Sequence, residues 1–218
     1  MILAIGNKNY SSWSMRPWIL LREAGIAFEE KLLKFGDDGK PVGVASVSAA
    51  GKVPVLIVDG EPVWDSLAIA ETVAERFPEK QLWPADARAR AFARSICAEM
   101  HSGFQALRSE MPMNIRSRHP GKGRSPESQR DVERVVAIWS ECRSRFGQGG
   151  PLLFGRFTIA DAYYAPVVTR FQTYAVTLPG VAQAYCDAVL ALGSVREWMD
   201  AARRETDFVP ADEPYANR

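Results

Sequence analysis

The chain has 218 residues, 47% of them hydrophobic, enough to bury one or two cores. Its net charge of +1 gives no electrostatic reason to expect nucleic acid as a partner. No apolar run reaches membrane-spanning length, and the first residues lack the regions of a signal peptide, so a cytoplasmic protein with no membrane partner is expected.

Cys97, Cys142 and Cys186 are widely spaced and form no CxxC pair. Each sits in a helix-like context and reads as a buried small hydrophobe. His101 falls on a helix face and His119 in a polar loop, so no metal site is expected.

In chain order, the apolar run Ile2–Ile5 reads as a strand. A hydroxyl-rich turn follows, Asn9-Tyr10-Ser11-Ser12-Trp13-Ser14-Met15-Arg16, leading into a helix over 15–24 that stops at Gly25. Ser11, Ser12 and Ser14 either cap that helix or, beside its free N–H groups and positive dipole end, hold an anion or thiolate. Residues 28–33 read as a strand, and 36–50 as a glycine-rich loop. Residues 53–58 and 61–64 form a hairpin about Asp59-Gly60, and 66–77 a helix. The order β-α-β-loop-β-β-α, with one antiparallel hairpin, predicts a mixed sheet.

The stretch from Pro78 to Pro84 carries no period and reads as a linker. Everything after Asp86 reads as helix. A long one over 87–111 breaks near Pro112, and a basic loop over 117–126 reads as solvated surface. A second long helix covers 127–146. Thr158 and Asp161 are spaced as a capping box opening a helix that is apolar nearly all round through Phe171, the expected centre of a second domain. Shorter helices over 181–192 and 195–204 precede a tail, from Asp207, expected to be draped or loose.

This layout resembles that of the soluble glutathione transferases. Three motifs carry the resemblance: the serine turn at 11–16, Gly51-Lys52-Val53-Pro54-Val55-Leu56 followed by Asp65-Ser66-Leu67-Ala68-Ile69, and Phe157-Thr158-Ile159-Ala160-Asp161. It implies a thioredoxin-like α/β domain with a mixed four-stranded sheet over 1–78, a linker over 79–85 and an all-α domain over 86–218. The turn is most similar to the zeta class, which includes maleylacetoacetate isomerases. Ser11, Ser12 and Arg16 match that class, while Trp13 stands where it has cysteine.

The resemblance further implies glutathione as co-substrate, a small electrophile as second substrate, and a homodimer. Ser12 is the expected donor to the glutathione sulfur, with Ser11 the near alternative and Tyr10 a more distant one. Lowering a thiol pKa of about 8.5 by roughly two units needs about 2.7 kcal/mol, within reach of one charge-assisted hydrogen bond and a helix dipole. Pro54 resembles a cis-proline that presents the Val53 backbone to the cysteinyl unit. Lys52 meets the glycyl carboxylate or is a surface lysine. Asp65 and Ser66 hold the γ-glutamyl end or simply cap a helix. Gln105 faces glutathione, with Arg108 and Ser109 beside it, and Trp13, Phe104, Met111 and Met113 shape the electrophile pocket, ordinary packing being the alternative for each. The activity implied is glutathione transfer; glutathione-dependent isomerisation and a non-enzymatic binding module are the other readings.

Overall fold

The computed structural model describes residues 1–216. The N-terminal domain is built on a four-stranded mixed sheet of order β2-β1-β3-β4. Its strands are β1 (Ile2–Ile5), β2 (Glu29–Leu32), β3 (Val55–Val58) and β4 (Glu61–Val63). β1 pairs with β2 in parallel and with β3 antiparallel, and β3 pairs with β4 antiparallel across the Asp59-Gly60 turn.

Alternation along the strands separates two apolar faces. Leu3, Ile5, Leu56 and Val58 enter the main core, while Ala4 and Val55 join Leu33 and Val44 on the opposite face. Helices α1 (Ser12–Glu23) and α2 (Ser66–Arg76) contribute to the main core through Met15, Trp18, Ile19, Ile69 and Val73. β2 is exposed throughout and is shorter than the sequence predicts. It is a polar edge strand, whose side chains Lys8 and Trp18 engage through Glu30 (2.6 Å each).

The rest is mostly helical: α3 (Ala87–Ser102), α4 (Gln105–Glu110), α5 (Pro126–Phe146), α6 (Ile159–Thr173), α7 (Gly180–Ala191) and α8 (Gly193–Arg204). The stretch between α2 and α3 is packed: Leu82 and Trp83 are buried, and the Leu82 carbonyl accepts from Ile159 N–H at 3.0 Å. α6 is buried over nearly its whole length, as its apolar sequence requires. It lies against α1, where Arg16 Nε donates to the Tyr163 carbonyl (3.3 Å).

Thr158 and Asp161 form the capping box that opens α6. Asp161 accepts from Thr158 N–H (2.8 Å), Thr158 Oγ1 (3.1 Å) and Leu153 N–H (3.1 Å). Burial nevertheless lifts its carboxyl to about 6. The three cysteines are free and buried, as read from sequence, and burial raises each thiol. No helix among the described residues is long and apolar enough to cross a membrane.

One expectation changes. The single helix expected over 87–111 is two helices. α3 ends at Ser102, and Phe104 adopts a left-handed conformation (φ 60°) before α4 begins. Of the two alternatives for the tail, draped or loose, the structure has the first. The segment 205–215 straps back onto the serine turn: Glu205 accepts from Lys8 N–H (2.7 Å) and Asn9 N–H (3.0 Å). Tyr10 Oη donates to Glu213 (2.8 Å).

Candidate active site

A cleft of about 650 Å³ opens between the ends of the sheet, the first helices of the helical region and the strap. That size suits a small-molecule site. The serine turn forms one wall through Tyr10, Ser11, Ser12 and Trp13. Lys52, Val53 and Pro54 form a second, and Asp65 with Ser66 a third. Arg108, Met113, Arg170 and Asp212 close the far end.

The three hydroxyls of the turn are engaged differently. Ser11 is the N-cap of α1: it accepts from Ser14 N–H (3.4 Å), and its own hydroxyl donates to Ser14 Oγ (2.7 Å). Ser14 Oγ in turn accepts from Gly6 N–H (3.1 Å), tying the cap to the sheet. Ser12 is the first residue of α1, and its Oγ accepts from Arg170 Nη2 at 3.2 Å. That contact leaves its hydroxyl hydrogen free to donate. Tyr10 Oη donates to the strap and accepts from Arg116 (2.7 Å). Burial first, then Glu213, pushes its phenol up to about 12.

The Val53–Pro54 peptide is cis, as the resemblance implied. Asp65 caps α2 by accepting from Leu67 N–H (3.1 Å) and pairs with His101 Nε2 (3.0 Å). Ser66 Oγ lies 3.1 Å from Tyr163 Oη, both buried. Lys52 is exposed at the rim.

Trp13 is held between two cations. The guanidinium carbons of Arg16 and Arg108 lie 4.2 Å and 4.6 Å from its ring centre. The His101 ring lies T-shaped to it, with ring centres 5.2 Å apart. Arg108 donates to the carbonyls of Met100 and Gly103 and so caps the end of α3. Arg16 (1% exposed) and Arg170 (4%) form no ion pair among the described residues. Burial lowers their guanidinium pKa values to about 9 and about 10, helped by the charge of Arg108, so both remain cations at neutral pH. Both Nη atoms of Arg16 and Nη1 of Arg170 lack a hydrogen-bond partner. A buried cation with no counter-charge favours an anion nearby.

The structure therefore brings Ser11, Ser12, Trp13, Lys52, Val53, Pro54, Asp65, Ser66 and Arg108 to one cleft. Phe104, Gln105 and Met111 do not line it. The break at Gly103-Phe104 resets the helical phase. Phe104 and Met111 turn into the core, and Gln105 lies exposed, bonding Ser109 Oγ (3.1 Å). His101, Arg170 and Asp212 were not assigned to a site from sequence. Arg170 alone left a signal, as a lone cation in an otherwise apolar helix.

Comparison with known proteins agrees with this geometry. A model of the glutathione S-transferase N-terminal domain matches residues 10–76, and one of the C-terminal domain matches residues 125–201. A Caenorhabditis elegans protein named "Probable maleylacetoacetate isomerase" is 30% identical over 72% of this chain and 73% of its own length. The Rattus norvegicus maleylacetoacetate isomerase is 34% identical, covering 77% of each. A glutathione transferase homolog from Burkholderia gl BGR1, solved with bound glutathione, shares the fold. It has a TM-score of 0.72 and 24% identity, over 94% of this chain and 98% of that one. With both halves matched in the same order and relatives this similar along most of their length, the chain belongs to the glutathione S-transferase family.

Proposed function

We propose that this chain is a glutathione-dependent enzyme of the isomerase type. In this reading Ser12 donates its hydroxyl hydrogen to the glutathione sulfur, and the arginine-lined end of the cleft takes a carboxylate-bearing electrophile. The observation that carries it is the 3.2 Å contact from Arg170 Nη2 to Ser12 Oγ. A cation that donates to the hydroxyl oxygen strengthens that hydroxyl as a donor, and the same cation stabilises a thiolate beside it. Val53 offers backbone groups to the cysteinyl unit, and Asp65 with Ser66 faces the γ-glutamyl end. Lys52 meets the glycyl carboxylate.

The chemistry balances without consuming glutathione. The thiolate adds to a conjugated cis double bond, whose electron pair moves onto the adjoining carbonyl. The bond, now single, rotates, and return of the electron pair expels the thiolate. Names of relatives such as the rat isomerase support isomerisation over simple conjugation. The cleft-lining guanidiniums of Arg108 and Arg170, the latter with Nη1 unpartnered, support an anionic electrophile. A homodimer accompanies the reading and is checked by light scattering. The decisive experiment follows maleylacetoacetate isomerisation by ultraviolet absorbance, with and without glutathione, against conjugation of an aromatic halide. Conjugation without isomerisation overturns the isomerase reading in favour of a transferase. No glutathione binding overturns both.

A further inference from the structure

One group at the cleft has no part in the chemistry above. Asp212 lines the cleft from the strap, on the short helical turn Pro210–Asp212. Its carboxylate makes no hydrogen bond or ion pair among the described residues, although it is partly buried. Burial lifts its carboxyl to about 6, against the opposing pull of Arg170. Leaving a carboxylate in such a place costs stability unless something faces it.

The position is held from both sides. Glu213, next in sequence, accepts from Tyr10 Oη at 2.8 Å. Val209 is buried, and Tyr215 Oη donates to the Glu110 carbonyl at 2.8 Å. Arg116 Nη2 donates to the Asp207 carbonyl at 2.7 Å. The anchors fix the turn, and they leave the Asp212 carboxylate unused. Arg170, 96% buried, lines the same cleft with Nη1 unpartnered. The two charges do not close into a salt bridge. The cleft therefore offers an acceptor from the strap and a donor from α6 with space for a ligand group.

We infer that Asp212 is a specificity-determining residue that, with Arg170, selects an electrophile carrying a hydroxyl or enol group. Such a group donates to Asp212 and accepts from Arg170 at once. A bare hydrocarbon position leaves both charges unsatisfied, and an extra carboxylate there is repelled by Asp212. The inference rests on the anionic-electrophile reading above and narrows it to hydroxylated or enolised acids.

The test uses two unreactive diacids of equal chain length, malate and succinate, bound to the enzyme–glutathione complex. Their affinities are measured by calorimetry at pH 7.5 for the wild type, Asp212→Asn and Asp212→Ala. Malate is expected to bind about five- to tenfold more tightly than succinate in the wild type. The ratio falls to about one in Asp212→Ala, with an intermediate value in Asp212→Asn, which keeps an acceptor oxygen. A ratio of two affinities on one preparation does not depend on the fraction of protein folded. Equal affinities in the wild type, or a preference that survives in Asp212→Ala, overturns the assignment and leaves the isomerase reading standing. Binding of glutathione but of neither diacid overturns the anionic-electrophile reading, and the role of Asp212 with it.

Discussion

Arg170, in the last turn of α6, donates through Nη2 to Ser12, the first residue of α1, across 3.2 Å. Its Nε donates to the Met111 carbonyl at 2.7 Å, so one guanidinium joins the buried helix, the end of α4 and the serine turn. The contact separates Ser12 from Ser11, whose hydrogen is already committed to Ser14.

Ser12→Ala is expected to raise the pKa of bound glutathione by about one to two units, equivalent to the loss of one charge-assisted hydrogen bond. The measurement is thiolate ultraviolet absorbance against pH. Ser11→Ala acts elsewhere: it removes the N-cap of α1 and costs about 1 kcal/mol in urea denaturation, with little effect on the thiol. A reversed pattern assigns the thiol to Ser11.

Arg170→Met raises the same thiol pKa, because the hydroxyl loses its polarising cation. The effects of Ser12→Ala and Arg170→Met should add only in part, since they share the Arg170–Ser12 contact while the cation also acts directly on the thiolate. A double mutant whose shift equals the sum of the single shifts shows two independent routes to the sulfur.

Asp161→Ala is expected to destabilise the fold by about 2–3 kcal/mol, since buried N–H groups of Leu153 and Thr158 lose their acceptor. The pH dependence has a defined sign. The folded pKa of about 6 lies above the ordinary value of 3.8, so the folded state holds the proton more tightly. This contribution is fully present below about pH 4 and is lost as pH rises through about 6. Urea midpoints between pH 4 and 8 should therefore show a declining term in the wild type that is missing in Asp161→Asn. A stability that rises through this window relative to Asp161→Asn means that the three donors outweigh burial.

Trp13→Leu removes the ring that faces Arg16 and Arg108. The loss of two cation–π contacts and a partly buried aromatic should cost about 2–3 kcal/mol, read as a lower urea midpoint. Trp13→Phe, which keeps a ring face, should recover about half. If the two variants are equally destabilised, the size of the indole matters and its stacking does not.

Much of the fold was legible because its signals are local. The Asp59-Gly60 turn, the alternation of β3, and the Thr158–Asp161 spacing each report backbone choices made within a few residues. The break between α3 and α4 was hidden by helix-forming residues on both sides. Only Gly103 marked it, where a side chain would come within 2.9 Å of the Glu99 carbonyl. Phe104, Gln105 and Met111 are expected at the site from the resemblance alone, which carries no information on where this break falls, and none of them lines the cleft. β2 was overextended because Glu-Glu-Lys-Leu carries no burial pattern of its own. Asp212 leaves no mark in the sequence as a cleft residue, and the lone cation Arg170 marks itself without showing where it points. Their neighbours there lie far away in sequence, and no periodicity encodes such a meeting.

The strap also sets a timetable. The turn that holds Ser12 leans on Glu205, which leaves the ribosome 197 positions after Lys8. Synthesis is vectorial, so the sheet and α1 emerge well before the group that accepts from Lys8 and Asn9. A nascent chain halted at Arg204 carries every residue assigned to glutathione and still lacks the brace on its turn. Proteolytic trimming to the same point recreates that unfinished state in a mature molecule. Trimming at Arg204 is therefore expected to cost activity with the serines intact, read as lost turnover in a protein that still folds.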